Sequence, residues 1–308
     1  MALGKAYATG EVDVAASASP TVRRRRLAAE LRRLRGNRTG GTVAKALGWS
    51  AAKISRYELG QSSFPLDEVE KLLDYYEVTE PRRDQLLALA AEANQRGWWE
   101  DYADAVTPEF MEFLGLEAEA TAAWEWHLGV IPGLLQTEEY ARQIHLSFQR
   151  AVPTPPGLIE QRIQVRMRRQ EILTAREPPL DFAVVLDEAV ILRKTGSGDL
   201  MYRQLQHLVE AADLPNVELR ILPLASGSTP VNDSFIVYSF GASPPADGTS
   251  MLHNVVWVEN VKSQFYVDDE TDTYNFSLVF KSLQEAALPP ADSKRLILET
   301  AERVWRGP

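Results

Sequence analysis

The sequence predicts a multidomain protein, in which an all-α head of five helices precedes an α+β domain with a mixed sheet of about five strands. Apolar residues recur at helical spacing up to about residue 96, and short β-type runs alternate with helical ones after Pro178. The charge is also divided, because residues 21–60 carry +9 and residues 61–308 carry −18 in a chain of net charge −10. We therefore expect a basic head joined to an acidic second domain.

The composition excludes several classes of protein. At 308 residues, with 45% apolar and 25% charged residues, the chain has room for about two folded domains. The absence of cysteine excludes disulfides, thiol catalysis and cysteine-based zinc sites. The sequence contains no run of eighteen apolar residues and no apolar leader. We therefore expect a cytoplasmic protein with no membrane partner.

Four segments are predicted along the chain. Residues 1–20 lack apolar periodicity and are interpreted as a flexible arm. The head covers 21–96, a junction covers 97–114, and the second domain covers 115–308. Two adjacent tryptophans, Trp98 and Trp99, favour a structural hinge at the junction over an aromatic platform for nucleic-acid bases.

The helices of the head follow from apolar spacing and from turn residues. In the first helix, Leu27, Leu31 and Leu34 share one face. The fourth and fifth helices are predicted over 66–76 and 81–95. The inward face of the fourth helix is predicted to contain Leu66, Val69, Leu72, Leu73 and Tyr76.

Between these helices, residues 39–60 predict two short helices joined by a tight turn. Thr39 and Ser50 are candidate N-caps, and Gly48 can adopt the left-handed conformation that ends the first of the two helices. Ile54 points inward, and Ala44 lies where the helices cross. This arrangement is a helix-turn-helix, whose second helix enters the major groove of DNA.

The same stretch resembles the phage-repressor-like (Xre) family of helix-turn-helix regulators. The resemblance is carried by Thr39, Val43, Ala44, Leu47, Gly48, Trp49, Ser50, Lys53, Ile54, Ser55, Arg56, Glu58 and Gly60. Many such repressors have a phosphate-contacting glutamine after the capping threonine. This sequence has Gly40 and Gly41 instead, which puts that contact in doubt.

The helix-turn-helix interpretation assigns two sets of DNA contacts. Residues at the exposed start of the second helix are predicted to contact bases, namely Ala51, Ala52, Lys53, Ser55 and Arg56. Either Lys53 or Arg56 would read guanine, unless Arg56 pairs with Glu58 or a phosphate. Basic and hydroxyl side chains are predicted to contact the DNA backbone, namely Arg23, Arg24, Arg25, Arg26, Arg38, Thr39, Lys45 and Ser50.

In the second domain, residues 110–126 are predicted to be mainly helical, and strands are predicted at 182–186, 217–222, 235–240, 255–259 and 264–267. Further helices are predicted at 158–176, 198–213, 272–286 and 293–304, with a loop at 242–249. The four histidines lack the spacing of metal-ligand pairs, and Asp187-Glu188 favours a helix start over a pair of acidic ligands. We therefore expect no catalytic residues, metal or cofactor, and the protein is not expected to be an enzyme.

Several motifs outside the head resemble one actinobacterial group of Xre regulators, whose large C-terminal domain is antitoxin-like or of unknown function. They include Gly97-Trp98-Trp99, the segment 130–141, Arg166-Met167-Arg168-Arg169-Gln170 and Ile221-Leu222-Pro223. Residues 227–230 depart from the group because its usual histidine is missing there.

The resemblance implies a transcriptional regulator that binds double-stranded DNA. Its second domain would form a homodimer and receive a signal from a small molecule or a small protein encoded nearby. Trp98, Trp99, Leu296, Leu298 and Trp305 are candidates for the dimer interface. The alternative is an enzyme or toxin tethered to DNA by the head.

Overall fold

The structure, a computed structural model, describes residues 22–94, 97–149, 153–227, 231–240, 254–259 and 264–306. The chain divides into two compact units, the first ending at Gln95 and the second beginning at Arg96. Residues 97–114, predicted as a junction, belong to the second unit. The predicted arm over 1–20, the loop over 242–249, His253 and residues 228–230 lie outside the described residues.

The described part of the first unit contains five α-helices. They are α1 (Val22–Arg35), α2 (Gly40–Leu47), α3 (Ala51–Glu58), α4 (Leu66–Tyr75) and α5 (Arg82–Ala93). Leu27, Ile54 and Leu73 lie in one apolar core to which all five helices contribute. The prediction of an all-α head with five helices is therefore confirmed.

One position in the predicted core of the head is wrong. Leu66 is 44% exposed, whereas Val69, Leu72 and Leu73 of the same helix are buried. Leu66 is the first residue of α4 and follows Pro65, so it lies at the open end of the helix. Helical spacing alone does not detect this effect at a helix end.

The second unit combines helices with a sheet. Its described helices are α6 (Pro108–Glu119), α7 (Glu138–Phe148), α8 (Pro156–Arg169), α9 (Glu188–Leu192), α10 (Gly198–Ala211), α11 (Glu270–Ala286) and α12 (Pro290–Thr300). Its described strands are β1 (Ala122–His127), β2 (Asp181–Asp187), β3 (Val217–Leu222), β4 (Phe235–Ser239), β5 (Asn254–Glu259) and β6 (Gln264–Val267). Short 3-10 turns include Trp98–Tyr102 and Gln170–Leu173.

The sheet is mixed, with the strand order β3-β2-β1-β4-β5-β6 among the described residues. β1, β2 and β3 run parallel, whereas β4, β5 and β6 pair antiparallel to their neighbours. The α+β prediction is thus confirmed, with six strands in place of about five.

The sixth strand is β1, and it corrects the prediction of a mainly helical segment over 110–126. The helix α6 ends at Glu119, and residues from Ala122 onward alternate between the two faces of the sheet. Trp126 pairs with Val185 of β2 on one side and with Phe235 of β4 on the other. Because β1 lies between two strands that are distant in sequence, tertiary pairing overrides the helical pattern that precedes it.

Helices cover both faces of the sheet. Trp126, Val237 and Val256 pack with Phe280 and Leu283 of α11 on one face. On the other face, Phe113 of α6 contacts the rings of Tyr238 and Trp257. This second face also receives Glu125, so β1 contributes a buried carboxylate to a largely apolar layer.

Candidate nucleic-acid interface

The helix-turn-helix of the first unit is built from α2 and α3, and its predicted caps are all present. The Thr39 hydroxyl accepts a hydrogen bond from the amide of Thr42, and the Ser50 hydroxyl accepts one from the amide of Lys53. Gly48 ends α2 with φ +70°, a conformation that costs glycine little. Val43, Ala44 and Ile54 are buried, which orients the opposite face of α3 toward solvent.

The outer face of α3 presents four of the five predicted base-contacting residues. Ala51, Ala52, Ser55 and Arg56 are all exposed. Among the described residues, no ion pair or hydrogen bond holds the Arg56 guanidinium. The alternative in which Arg56 pairs with Glu58 is wrong, because Glu58 accepts a 2.6 Å bond from Nε of Arg35.

Lys53 differs from these four because its ammonium group is held inside the unit. Its Nζ lies 2.6 Å from the Glu68 carboxylate of α4 and 4.4 Å from the centroid of the Trp49 ring. Tyr57 donates a hydrogen bond to the same carboxylate. Burial alone would raise the pKa of Glu68, but the bonds from Lys53 and Tyr57 outweigh it and lower that pKa. Lys53 therefore links α3 to α4, a contact that sequence reasoning missed.

The predicted backbone-contacting arginines of α1 are not equivalent. Arg24 is 4% exposed, and its Nε donates a 2.8 Å hydrogen bond to the carbonyl of Ala93. This placement corrects the prediction that Arg24 contacts phosphate, because its guanidinium ties α1 to the end of α5. Arg23 lies 3.4 Å from Glu92, while Arg25 and Arg26 are half-buried.

The remaining predicted backbone contacts lie on the surface around α2. Lys45 is exposed, and no described residue forms an ion pair or hydrogen bond with its ammonium group. Arg38 is exposed and lies 5.8 Å from the ring centroid of Tyr75. Thr39 and Ser50 are exposed although their hydroxyls serve as caps. The structure therefore offers Lys45, Arg38 and the two capping residues for phosphate contacts.

The polar motifs of the second unit have structural partners. The Asp187 carboxylate accepts a hydrogen bond from the amide of Ala189, so it caps α9 as the sequence predicts. Glu188 accepts a 2.8 Å bond from the amide of Leu224. His127 lies 2.9 Å from the buried Glu125 carboxylate. Burial, with Arg166 and Arg162 nearby, lowers the pKa of His145 to about 4.

Residues 133–137, which lie within the segment 130–141 singled out by the sequence, are held by glutamine side chains. Nε2 of Gln204 donates to the carbonyl of Leu135 at 2.7 Å, and its Oε1 accepts from the amide of Thr137 at 2.7 Å. Nε2 of Gln170 donates to the carbonyls of Gly133 and Gln136 at 3.0 and 2.7 Å. The motif thus fixes a turn of the second unit, and neither Gln170 nor Gln204 was predicted to have this role.

The buried ion pair between Glu117 and Arg169 is a feature that the sequence did not reveal. Nε and Nη2 of Arg169 donate to the two carboxylate oxygens of Glu117 at 2.7 and 2.6 Å. Tyr238 donates a third hydrogen bond to Glu117 at 3.3 Å. Burial alone would lower the pKa of Arg169, but the Glu117 carboxylate raises it on balance. The Arg169 guanidinium thus stays protonated within the second unit.

The comparisons with known proteins match both units. Residues 26–86 match a family model described as a helix-turn-helix domain. Residues 110–299 match the model described as a domain of unknown function, DUF5753. No curated protein and no solved structure gives a significant match. Within the described residues, no helix combines the length and the apolar character needed to cross a membrane, and no three His, Asp or Glu side chains are grouped as metal ligands.

Proposed function

This chain belongs to the DUF5753 family and carries a helix-turn-helix domain before that region, and on this premise we propose that it is a sequence-specific transcriptional regulator. The helix α3 enters the major groove, and the second unit dimerises and receives a signal. The observation that carries the proposal is the exposed face of α3, where Arg56 has no hydrogen-bond or ion-pair partner among the described residues. An exposed guanidinium at this place in a helix-turn-helix is suited to read a base edge.

In the proposed complex, one set of side chains contacts the bases and another contacts the phosphates. Arg56 donates two hydrogen bonds to O6 and N7 of a guanine, and Ala51 or Ala52 packs against a thymine methyl group. Lys45 and Arg38 contact phosphates, supported by the +9 charge of residues 21–60. Lys53 acts indirectly, since its bond to Glu68 fixes how α3 is presented. The acidic charge of the second domain disfavours its own contact with DNA.

The proposal also includes the family of regulators to which the chain belongs and the kind of signal it receives. The residues that resemble the Xre family, and the actinobacterial group with an antitoxin-like second domain, favour a regulator that responds to a small molecule or a small partner protein. We assign binding, and no catalytic step, to the second unit. Native mass spectrometry of the purified chain distinguishes this regulator from the alternative, an enzyme tethered to DNA. A retained metabolite or small protein would support the regulator, and a stoichiometric metal would favour the tethered enzyme.

Base readout by Arg56 is tested by comparing three variants. Once chromatin immunoprecipitation has identified the operator, Arg56→Ala is expected to weaken operator binding by about 1–3 kcal/mol and to relax preference at one base position. Arg56→Lys keeps the charge but loses the bidentate fork, so it should lose the same preference. Lys53→Ala is expected to weaken binding to all sequences alike. A loss of preference at one position with Lys53→Ala, and none with Arg56→Ala, would reverse the two roles.

Phosphate contact by Lys45 predicts a change in salt dependence. Lys45→Gln is expected to weaken binding to operator and random DNA equally and to reduce the slope of log K against log salt by about one unit. Arg24→Gln is the matched control. The Arg24 guanidinium bonds to the Ala93 carbonyl inside the first unit, so this substitution is expected to leave the slope unchanged. Fluorescence anisotropy at several salt concentrations measures both slopes. An unchanged slope for Lys45→Gln would remove this residue from the interface.

A further inference from the structure

We propose that the second unit binds a small organic monoanion, a carboxylic acid with an apolar body, in the cavity between Trp98, α6 and the end of α8. This inference names a ligand class for the signal-receiving role proposed above and rests on that role. The cavity has a volume of about 290 Å³. Taking the ~30 Å³ that one water occupies in the liquid, it holds a ligand of about ten non-hydrogen atoms.

The lining of the cavity includes the group that would bind the acid, the guanidinium of Arg168. The Arg168 guanidinium lies 4.8 Å from the centroid of the Trp98 ring. Arg168 is exposed, and among the described residues no carboxylate lies within ion-pair distance of it. Stacking on an aromatic face restrains a guanidinium and leaves the N–H donors in its plane for an incoming carboxylate.

Three of the other four charged side chains of the lining are already engaged within the protein, and the fourth, Glu171, is exposed to solvent. Glu117 and Arg169 bond to each other through two hydrogen bonds. Arg176 donates through Nη1 to the carbonyls of Ala118 and Ala120, and through Nε to that of Pro178. Because Arg169 is held by a carboxylate and Arg176 by backbone carbonyls, Arg168 is the guanidinium of this lining that a ligand can engage without breaking an existing ion pair or hydrogen bond.

The net charge of the lining residues favours a monoanion over a more highly charged ligand. It contains three arginines and two glutamates, which leave a net charge of +1. A phosphate dianion would exceed this charge, whereas a carboxylate matches it. Leu114 and Ile172 are buried side chains in the same lining and provide an apolar surface for the rest of the ligand. Ligand sites commonly combine such apolar walls with a few placed polar groups.

The test uses phenylacetate as the probe and phenylacetamide as its neutral counterpart, in ligand-observed NMR titrations with the full chain. Phenylacetate is expected to bind about tenfold more tightly than the amide, since a hydrogen bond to a charged group contributes more than a neutral one. Arg168→Gln is expected to abolish this difference. Arg303→Gln, which changes another exposed arginine of the second unit, should preserve it.

A second variant tests the cavity independently of charge. Ala118→Leu extends a side chain of the lining into the cavity and is expected to weaken both probes at least tenfold. Equal binding of acid and amide by the wild-type chain would overturn the inference, as would an unchanged preference in Arg168→Gln. Displacement of phenylacetate by inorganic phosphate at equal concentration would also overturn it. None of these titrations contains DNA, so a failure to bind operator would count against the proposed function alone.

Discussion

A chain cut after Asn94 is expected to bind operator DNA about 10²–10⁴-fold more weakly than the full chain, because it lacks the unit proposed to dimerise. One helix-turn-helix reads only a few base pairs, and two heads in one dimer make the second contact intramolecular. The operator should accordingly contain two palindromic half-sites spaced by one helical turn or a multiple of it. The first unit has its own buried core, so the fragment is expected to stay helical by circular dichroism.

The control for this experiment restores dimerisation by other means. Fusion of residues 22–94 to a parallel coiled coil should recover much of the lost affinity, whereas fusion to a monomeric protein should not. Light scattering on the full chain reports its mass at the concentrations used for binding. A monomeric full chain, or a fragment that binds the operator as tightly as the full chain, would contradict the dimer.

The residues first considered for the dimer interface need revision. Trp99 and Trp305 are 8% and 7% exposed, and Nε1 of Trp305 donates to the carbonyl of Ile191. These two side chains belong to the interior of the second unit. Leu296 and Leu298 are half-buried. Variants of the two tryptophans would therefore unfold the unit before they reported on dimerisation, and cross-linking with mass spectrometry is the better way to map the interface.

Arg169→Met is expected to destabilise the second unit by about 3–5 kcal/mol, because it leaves the Glu117 carboxylate buried without its cation. The side-chain exposure of the two residues is only 5% and 2%, so water can replace little of the lost interaction. The Tyr238 hydroxyl would remain as one neutral donor to Glu117. Urea denaturation followed by circular dichroism measures the change in the free energy of unfolding.

Two further variants separate loss of the pair from loss of the side chain. Arg168→Met changes the neighbouring exposed arginine and is expected to cost no more than about 1 kcal/mol, the size of its contact with the Trp98 ring. Replacing both partners, as Arg169→Met with Glu117→Leu, should recover part of the lost stability, since it removes the unpaired charge. If Arg169→Met unfolds at the same urea concentration as Arg168→Met, the buried pair does not have the assigned role.

The sequence by itself determined the features that depend on neighbours a few residues away. The Thr39 and Ser50 caps and the left-handed Gly48 are local, and each is present as predicted. The same holds for five of the six strands, where β-type residues lie between turn signals. A hydrogen bond that a capping hydroxyl accepts from the amide three residues later needs no distant partner, so the local pattern is sufficient.

Only the tertiary structure decided the features that depend on distant partners. Arg24 bonds to a carbonyl 69 residues away, and Arg169 pairs with a carboxylate 52 residues away. The sequence did not reveal that Lys53 is engaged inside the first unit while Arg56 is not, because both are basic residues on α3. Lys53 is engaged only because α4 brings Glu68 within 2.6 Å. Ion pairing and strand pairing depend on which segments meet in space, and the spacing of residues along the chain does not contain that information.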